Sequence, residues 1–133
     1  MSAGAQPPEV GLTVVHRRYV SYSQAHYAGN LVDGAWGLGL FGDVATEMCI
    51  RTGGDEGLFA SYSDVQFLAP VRAGDLVEAS ATLVRVGSRS RELDFALLVL
   101  ARGDDDSTAA ARVLPEPIVA TTATGTVVVP HPV

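Results

Sequence analysis

DGAWGLGLFGDVATEMCI, residues 33–50, is the stretch whose reading decides the fold. Leu38, Leu40, Phe41, Val44, Ala45, Met48 and Cys49 recur at helical intervals, which predicts a helix over 34–50 with Asp33 as its N-cap. Turned at 100° per residue, the apolar side chains fall on nearly every side, as they do in a helix enclosed by other structure. Gly37, Gly39 and Gly42 each cost about 1 kcal/mol relative to Ala inside a helix, so something must approach this one closely.

Outward from the helix the chain reads as strands. β-branched and aromatic residues predict a strand over 12–20 before the helix, and four more follow it at 58–68, 76–86, 91–101 and 118–129. In 91–101 the residues Leu93, Phe95, Leu97 and Val99 alternate with Glu92, Asp94, Ala96 and Leu98, which fits one buried and one open face. Residues 21–30 follow neither period and read as a loop of unusual polar content. Pro70 and Gly74 make 69–75 a connection, 87–90 reads as a hairpin turn, and the acidic stretch 103–107 as a solvated loop. The first eleven residues, rich in Ala, Gly and Pro, read as a flexible tail ahead of a single domain.

One strand, one long apolar helix and four strands give an α+β domain: a curved antiparallel β-sheet wrapped around one central helix, the hotdog arrangement. A small sheet leaves edges and apolar surface uncovered, so a homodimer is expected, alone or within a higher oligomer of dimers.

The chain has 133 residues and a formal net charge of −6; all nine basic residues are Arg, without a basic run. Nucleic acid is therefore an unsuitable partner. No segment approaches the roughly 20 apolar residues of a membrane span, and the N-terminus lacks a basic start followed by an apolar stretch, so a cytoplasmic protein is expected. Cys49 has no second cysteine to pair with and reads as a buried, inert thiol. No Cys or His pair has metal-ligand spacing.

Spacings of three and four place Asp33, Trp36, Leu40, Asp43 and Glu47 on one stripe of the helix. Two carboxylates a turn apart and shielded from water would repel each other, raising at least one pKa towards the range a general base needs. The plainer reading is a helix surfacing at an interface with both acids solvated or bound to Arg. Asp33 by spacing alone is an N-cap, His26 a surface or hydrogen-bonding residue, Asn30 a turn residue, and Tyr62 packing.

The run HYAGNLVDGAWGLGLFGDVATEM, residues 26–48, closely resembles the 3-aminobutyryl-CoA and related β-aminoacyl-CoA ammonia-lyases, which are hotdog enzymes. SYSDVQFLAPV (61–71), AGDLVEA (73–79) and VGSRS (86–90) resemble hotdog acyl-CoA enzymes more generally. The resemblance implies elimination of ammonia from a β-aminoacyl-CoA thioester, or the reverse addition, with coenzyme A as part of the substrate and no permanently bound cofactor. It makes Glu47, Asp43 and His26 the catalytic candidates. Asp33, Asn30 and Tyr27, with the amides of Gly34 and Ala35 for the thioester oxygen, become candidates for substrate binding. Tyr62 and Asp64 would lie on the strand facing a partner's helix, and Arg89, Arg91 and Arg72 are the candidate contacts for coenzyme phosphates.

Nearly the same parts suit an acyl-CoA thioesterase, which is the second reading. A non-catalytic acyl-CoA binder is the third. Enoyl-CoA hydration ranks last, because SQAHYAGN replaces the Asp then Asn-Pro-Leu-His type run of hotdog hydratases.

Overall fold

The helix and the hairpins expected from the patterning form as local structure, and burial of their apolar faces joins them. In the computed structural model, which describes residues 4–104 and 108–130, the elements run β1 (Thr13–Tyr19), β2 (Ala25–Tyr27), β3 (Leu31–Val32), α1 (Gly34–Gly53), β4 (Leu58–Phe67), β5 (Val71–Arg72), β6 (Leu76–Val86), β7 (Ser90–Gly103) and β8 (Ala111–Val128). Single turns of 3-10 helix at Tyr22–Gln24 and Ala28–Asn30 shape the segment before α1.

Five strands make one antiparallel sheet in the order β1-β6-β7-β8-β4, and β2-β3-β5 make a second, small one. The β6–β7 hairpin turns where expected, with Gly87 N–H donating to the Ser90 carbonyl at 2.9 Å. Helix α1 lies on one face of the large sheet. Phe41, Val44 and Met48 from the helix and Leu83, Leu93, Leu97 and Val99 from the strands are almost wholly buried in one core, with Phe41 stacked on Phe95 at 5.0 Å. Alternation in β7 runs as the sequence predicts, Leu93, Phe95, Leu97 and Val99 all facing inward.

The helix outlasts its sequence prediction by a turn and ends on Gly54, whose left-handed backbone (φ 67°) lets its N–H reach the Ile50 carbonyl at 3.0 Å. It is also less enclosed than its composition suggests. Ala35, Gly39, Asp43, Thr46 and Ile50, spaced by four, four, three and four residues, form an exposed outer stripe. Gly37 is where something approaches closely: a Cβ there would meet Leu97 Cδ2 at 2.9 Å, whereas Gly39 and Gly42 face open space.

Three further differences have physical causes. Strands β2, β3 and β5 are two or three residues long, too short to carry a period, and escaped the sequence reading. Residues 4–11 are tied to the body, Gln6 N–H donating to the Arg51 carbonyl and Gly11 N–H to that of Leu83, rather than forming a free tail. Of the expected acidic loop, Gly103 ends β7 and residues 105–107 lie outside the described residues. Cys49 is buried as expected, and desolvation pushes its thiol up to about 11.

Candidate active site

Residues 28–34 aim the start of the helix. Gly29 (φ 75°) and Asn30 (φ 60°) are consecutive left-handed residues, a reversal that Gly adopts freely and Asn tolerates better than most. The turn delivers Leu31 and Val32 to their pairing with Arg72 and Val71, and Asp33 then starts α1. Asp33 occupies the N-cap position, yet its carboxylate makes no capping hydrogen bond. The first helical amides are left without that partner, as is the carboxylate.

Both open on a cavity of ≈500 Å³, lined by Tyr27, Val32, Asp33, Gly34, Ala35, Trp36 and Gly37 on the helix side and by Phe67, Leu68, Ala69, Pro70, Val71, Leu97 and Thr121 on the sheet side. Its walls are mostly apolar, with a carboxylate, unpaired amides and a few hydroxyls, the mixture that ligand chambers share. Gly34 leaves room for the Phe67 ring: a Cβ there would lie 2.5 Å from the ring edge, and the half-exposed ring would have to swing away from the helix start. Among the predicted substrate-binding residues, Asp33, Tyr27, Gly34 and Ala35 meet in this chamber. His26 is exposed beside it, its ring edge-on to Tyr27 at 4.6 Å. Asn30 and Arg72 line a neighbouring cavity of ≈250 Å³ with Tyr22 and Arg102.

The helix carboxylates lie elsewhere. Asp43 and Glu47 follow Gly34 by nine and thirteen residues, about 14 and 20 Å along the axis, and neither lines the chamber. Asp43 is 59% exposed, 3.9 Å from Arg18. Glu47 is clamped: His16 donates through Nε2 to one carboxylate oxygen at 2.7 Å and Arg51 through Nε to the other at 2.8 Å. Those two hydrogen bonds, His16 first, hold its carboxyl below the usual range and outweigh the opposing desolvation. The shielded, mutually repelling pair suggested by the helical spacing does not form within the chain, and the Glu47 carboxyl, held by His16 and Arg51, is shifted downward rather than up. The stripe itself straddles a boundary, since Leu40 faces the core while Asp43 faces solvent.

Two other assignments change. Tyr62 faces its own helix, its hydroxyl donating to the Leu38 carbonyl at 2.9 Å and its ring against Phe59 and Phe95; burial pushes the phenol up. Arg91 is 6% exposed, held by the hydroxyl and carbonyl of Thr52 beneath the last helical turn, and is not placed to meet a phosphate. Arg89 is exposed in the β6–β7 turn. The pairings Leu58↔Val128 and Ser90↔Val128 set that turn beside the start of β4, about nine residues and roughly 30 Å from Phe67 and the chamber. Arg72 follows the chamber residue Val71 directly and is exposed. Asp64, on β4 with φ 50°, accepts from the Gln66 amide.

Trp36, named in the sequence as part of the helix stripe, lines the chamber, as do Phe67, Leu68, Leu97 and Thr121, which were not expected as site residues. Four are apolar and look like any core residue until the strands are paired; strand parity would have flagged Thr121 as a polar residue on an inward row. Among the described residues no group of three His, Cys, Asp or Glu side chains is arranged to hold a metal ion, and no helix is long and apolar enough to cross a membrane.

Residues 29–97 match the family model described as the Thioesterase superfamily. Over 112 residues the chain is 49% identical to the 3-aminobutyryl-CoA ammonia lyase of Acetoanaerobium sticklandii, covering 84% of this chain and 89% of that protein. The solved β-alanyl-CoA:ammonia lyase from Clostridium propionicum superposes with a TM-score of 0.87 at 36% identity, over 92% of this chain and 87% of that one. A hexameric hotdog-fold thioesterase of Campylobacter jejuni matches with a TM-score of 0.71 at 19% identity, over 85% and 79% of the two chains, and at that identity it speaks for the fold alone.

Proposed function

The chain belongs to the β-aminoacyl-CoA ammonia-lyases within the Thioesterase superfamily, and on that premise we propose that it eliminates ammonia from a short β-aminoacyl-CoA such as 3-aminobutyryl-CoA or β-alanyl-CoA, or adds ammonia to the enoyl-CoA. The observation that carries this reading is the 49% identity to an ammonia lyase over 84% of the chain. The chamber at the helix start supplies suitable chemistry for it.

In the proposed reaction the thioester oxygen lies against the N–H groups of Gly34 and Ala35, which, with the positive end of the helix dipole, stabilise negative charge as it develops there. Asp33 is the acid that lines the chamber, and its carboxylate takes the proton from Cα. The electrons of that C–H bond form the Cα=Cβ double bond, the Cβ–N bond breaks, and an amine bound as its ammonium leaves as neutral ammonia. In the reverse direction Asp33 returns the proton. Trp36, Phe67, Leu68 and Leu97 line the chamber with apolar side chains. Phe67 and Leu68 are exposed in the single chain, so bulk water is excluded once the substrate or the partner of the proposed dimer covers them, which favours elimination over hydrolysis of the thioester. Tyr27 and His26 flank the entrance, and Arg72 is the proposed contact for a coenzyme phosphate. The working form is proposed to be a dimer.

Incubating the protein with 3-aminobutyryl-CoA and with β-alanyl-CoA tests the reading. Ammonia release together with rising enoyl-thioester absorbance is expected. Free coenzyme thiol in place of both would identify a thioesterase instead.

A further inference from the structure

Thr121 is 4% exposed and lines the chamber, and its hydroxyl has no hydrogen-bond partner among the described residues. The antiparallel register fixes where it points. Thr121 pairs with Leu97 on one side and Phe67 on the other, so the three side chains share a face of the sheet. Leu97 lies against Gly37 and Phe67 against Gly34, which makes that face the one under the first helical turn. The row Leu97–Thr121–Phe67 is therefore the chamber floor, and the inward positions that follow along β8 are Ala123, Gly125 and Val127. His16 Nδ1 is the buried side-chain polar atom without a partner among the described residues, so the Thr121 hydroxyl is reached from the chamber, and its hydrogen-bonding capacity is left for whatever occupies that space. Valine would fill the same space in a strand and offer an occupant no acceptor.

From these observations we infer that Thr121 is a specificity-determining residue whose hydroxyl oxygen accepts a hydrogen bond from the substrate's β-ammonium group. The inference rests on the lyase reading and deepens it. With the thioester oxygen at the Gly34 and Ala35 amides on the roof, the acyl carbons run down between Trp36 and Phe67, and the substituent on Cβ meets the floor. An ammonium carries three donors and no acceptor, so a floor that offers only apolar atoms would leave it unpaired. Asp33 supplies the opposite charge in the chamber and Thr121 the acceptor opposite it, so a β-aminoacyl thioester is held in preference to a plain acyl thioester of equal length.

The test is the isosteric Thr121→Val variant, compared with Thr121→Ser, which keeps the oxygen. Two quantities are measured: kcat/KM for β-alanyl-CoA, and the inhibition constant of propionyl-CoA, which is the same chain without the amine. Thr121→Val is expected to lose about tenfold or more in kcat/KM while binding propionyl-CoA at least as tightly, and Thr121→Ser to keep the discrimination of the native chain. Thr121→Ala, which also lacks the oxygen, gives the same ratio should Val at this site impair folding. An unchanged ratio in the variants lacking the oxygen, with the native chain releasing ammonia, removes Thr121 from recognition and leaves the lyase reading standing. Equal losses for both ligands reduce Thr121 to packing. No ammonia release by the native chain removes both proposals together.

Discussion

Asp33 and Glu47 are carboxylates at the start and in the second half of the same helix, and their surroundings give them opposite tasks. Asp33 faces an apolar chamber without a capping bond, whereas both oxygens of Glu47 are taken by His16 and Arg51. Asp33→Asn is accordingly expected to lower kcat for ammonia release roughly 10²- to 10⁴-fold with the thermal midpoint nearly unchanged. Glu47→Gln should keep turnover and act on stability. A carboxyl held below its ordinary pKa in the folded state contributes stability that is present above the unfolded pKa and lost as pH falls through the lowered folded value. Glu47→Gln should therefore flatten the acid limb of the stability curve between those two pKa values, with a shift in midpoint at neutral pH under about 5 °C, because the group is 34% exposed and screened. Thermal melts from pH 3 to 8 would show it; an unchanged acid limb would mean that the clamp contributes nothing. The chamber was half legible from sequence. Asp33, Gly34, Ala35 and Tyr27 lie within one local run, so their proximity follows from chain connectivity. The His16–Glu47 bond joins residues 31 apart and Thr121 reaches the chamber through strand pairing, neither of which a one-dimensional spacing reveals.

Helix α1 has two faces that obey different rules, and its glycines divide between them. Gly37 is buried under Leu97, but Gly42 sits beside the outer stripe with nothing within 4 Å of its Cβ direction. Gly42→Ala should thus raise stability by about 0.5–1 kcal/mol through helix propensity if that face is open in solution. Urea unfolding would measure the gain. A loss instead would mean that another surface packs closely there. The strands were read well because inward and outward side chains alternate in β6 and β7, whose edges the sequence places within a residue or two. β8 starts seven residues before its predicted onset, as its first part, from Ala111, carries exposed Val113, two prolines and a glutamate and has no inward row to reveal it. The same lack of pattern hid the outer stripe of α1: small residues such as Ala35 and Gly39 look apolar to a helical wheel whether or not anything covers them.

For the whole molecule, the open question is what covers β4. It is an edge of the large sheet, bonded only to β8, and it presents Leu58 and Phe67 to solvent next to exposed Leu68. A long, exposed, partly apolar edge is a template for pairing with another chain, and a monomer would be expected to blunt it with charge. Yet 58–63 carries no charged residue, and the first acid, Asp64, stands where φ is 50° and the register with β8 shifts. The uncharged part is thus 58–63, with one register irregularity between Phe59 and Ser61, and two copies joined antiparallel through it would continue the sheet across the pair. The proposed dimer predicts a solution mass by light scattering near twice 13.9 kDa. Ser61→Lys combined with Ser63→Lys, both on exposed positions, would set like charges along the seam and should return the mass to that of one chain while the circular dichroism spectrum persists. A native chain that runs as a monomer at micromolar concentration would overturn the dimer. A double variant that stays paired would move the interface from β4 to another surface, of which the outer stripe of α1 is the first to test.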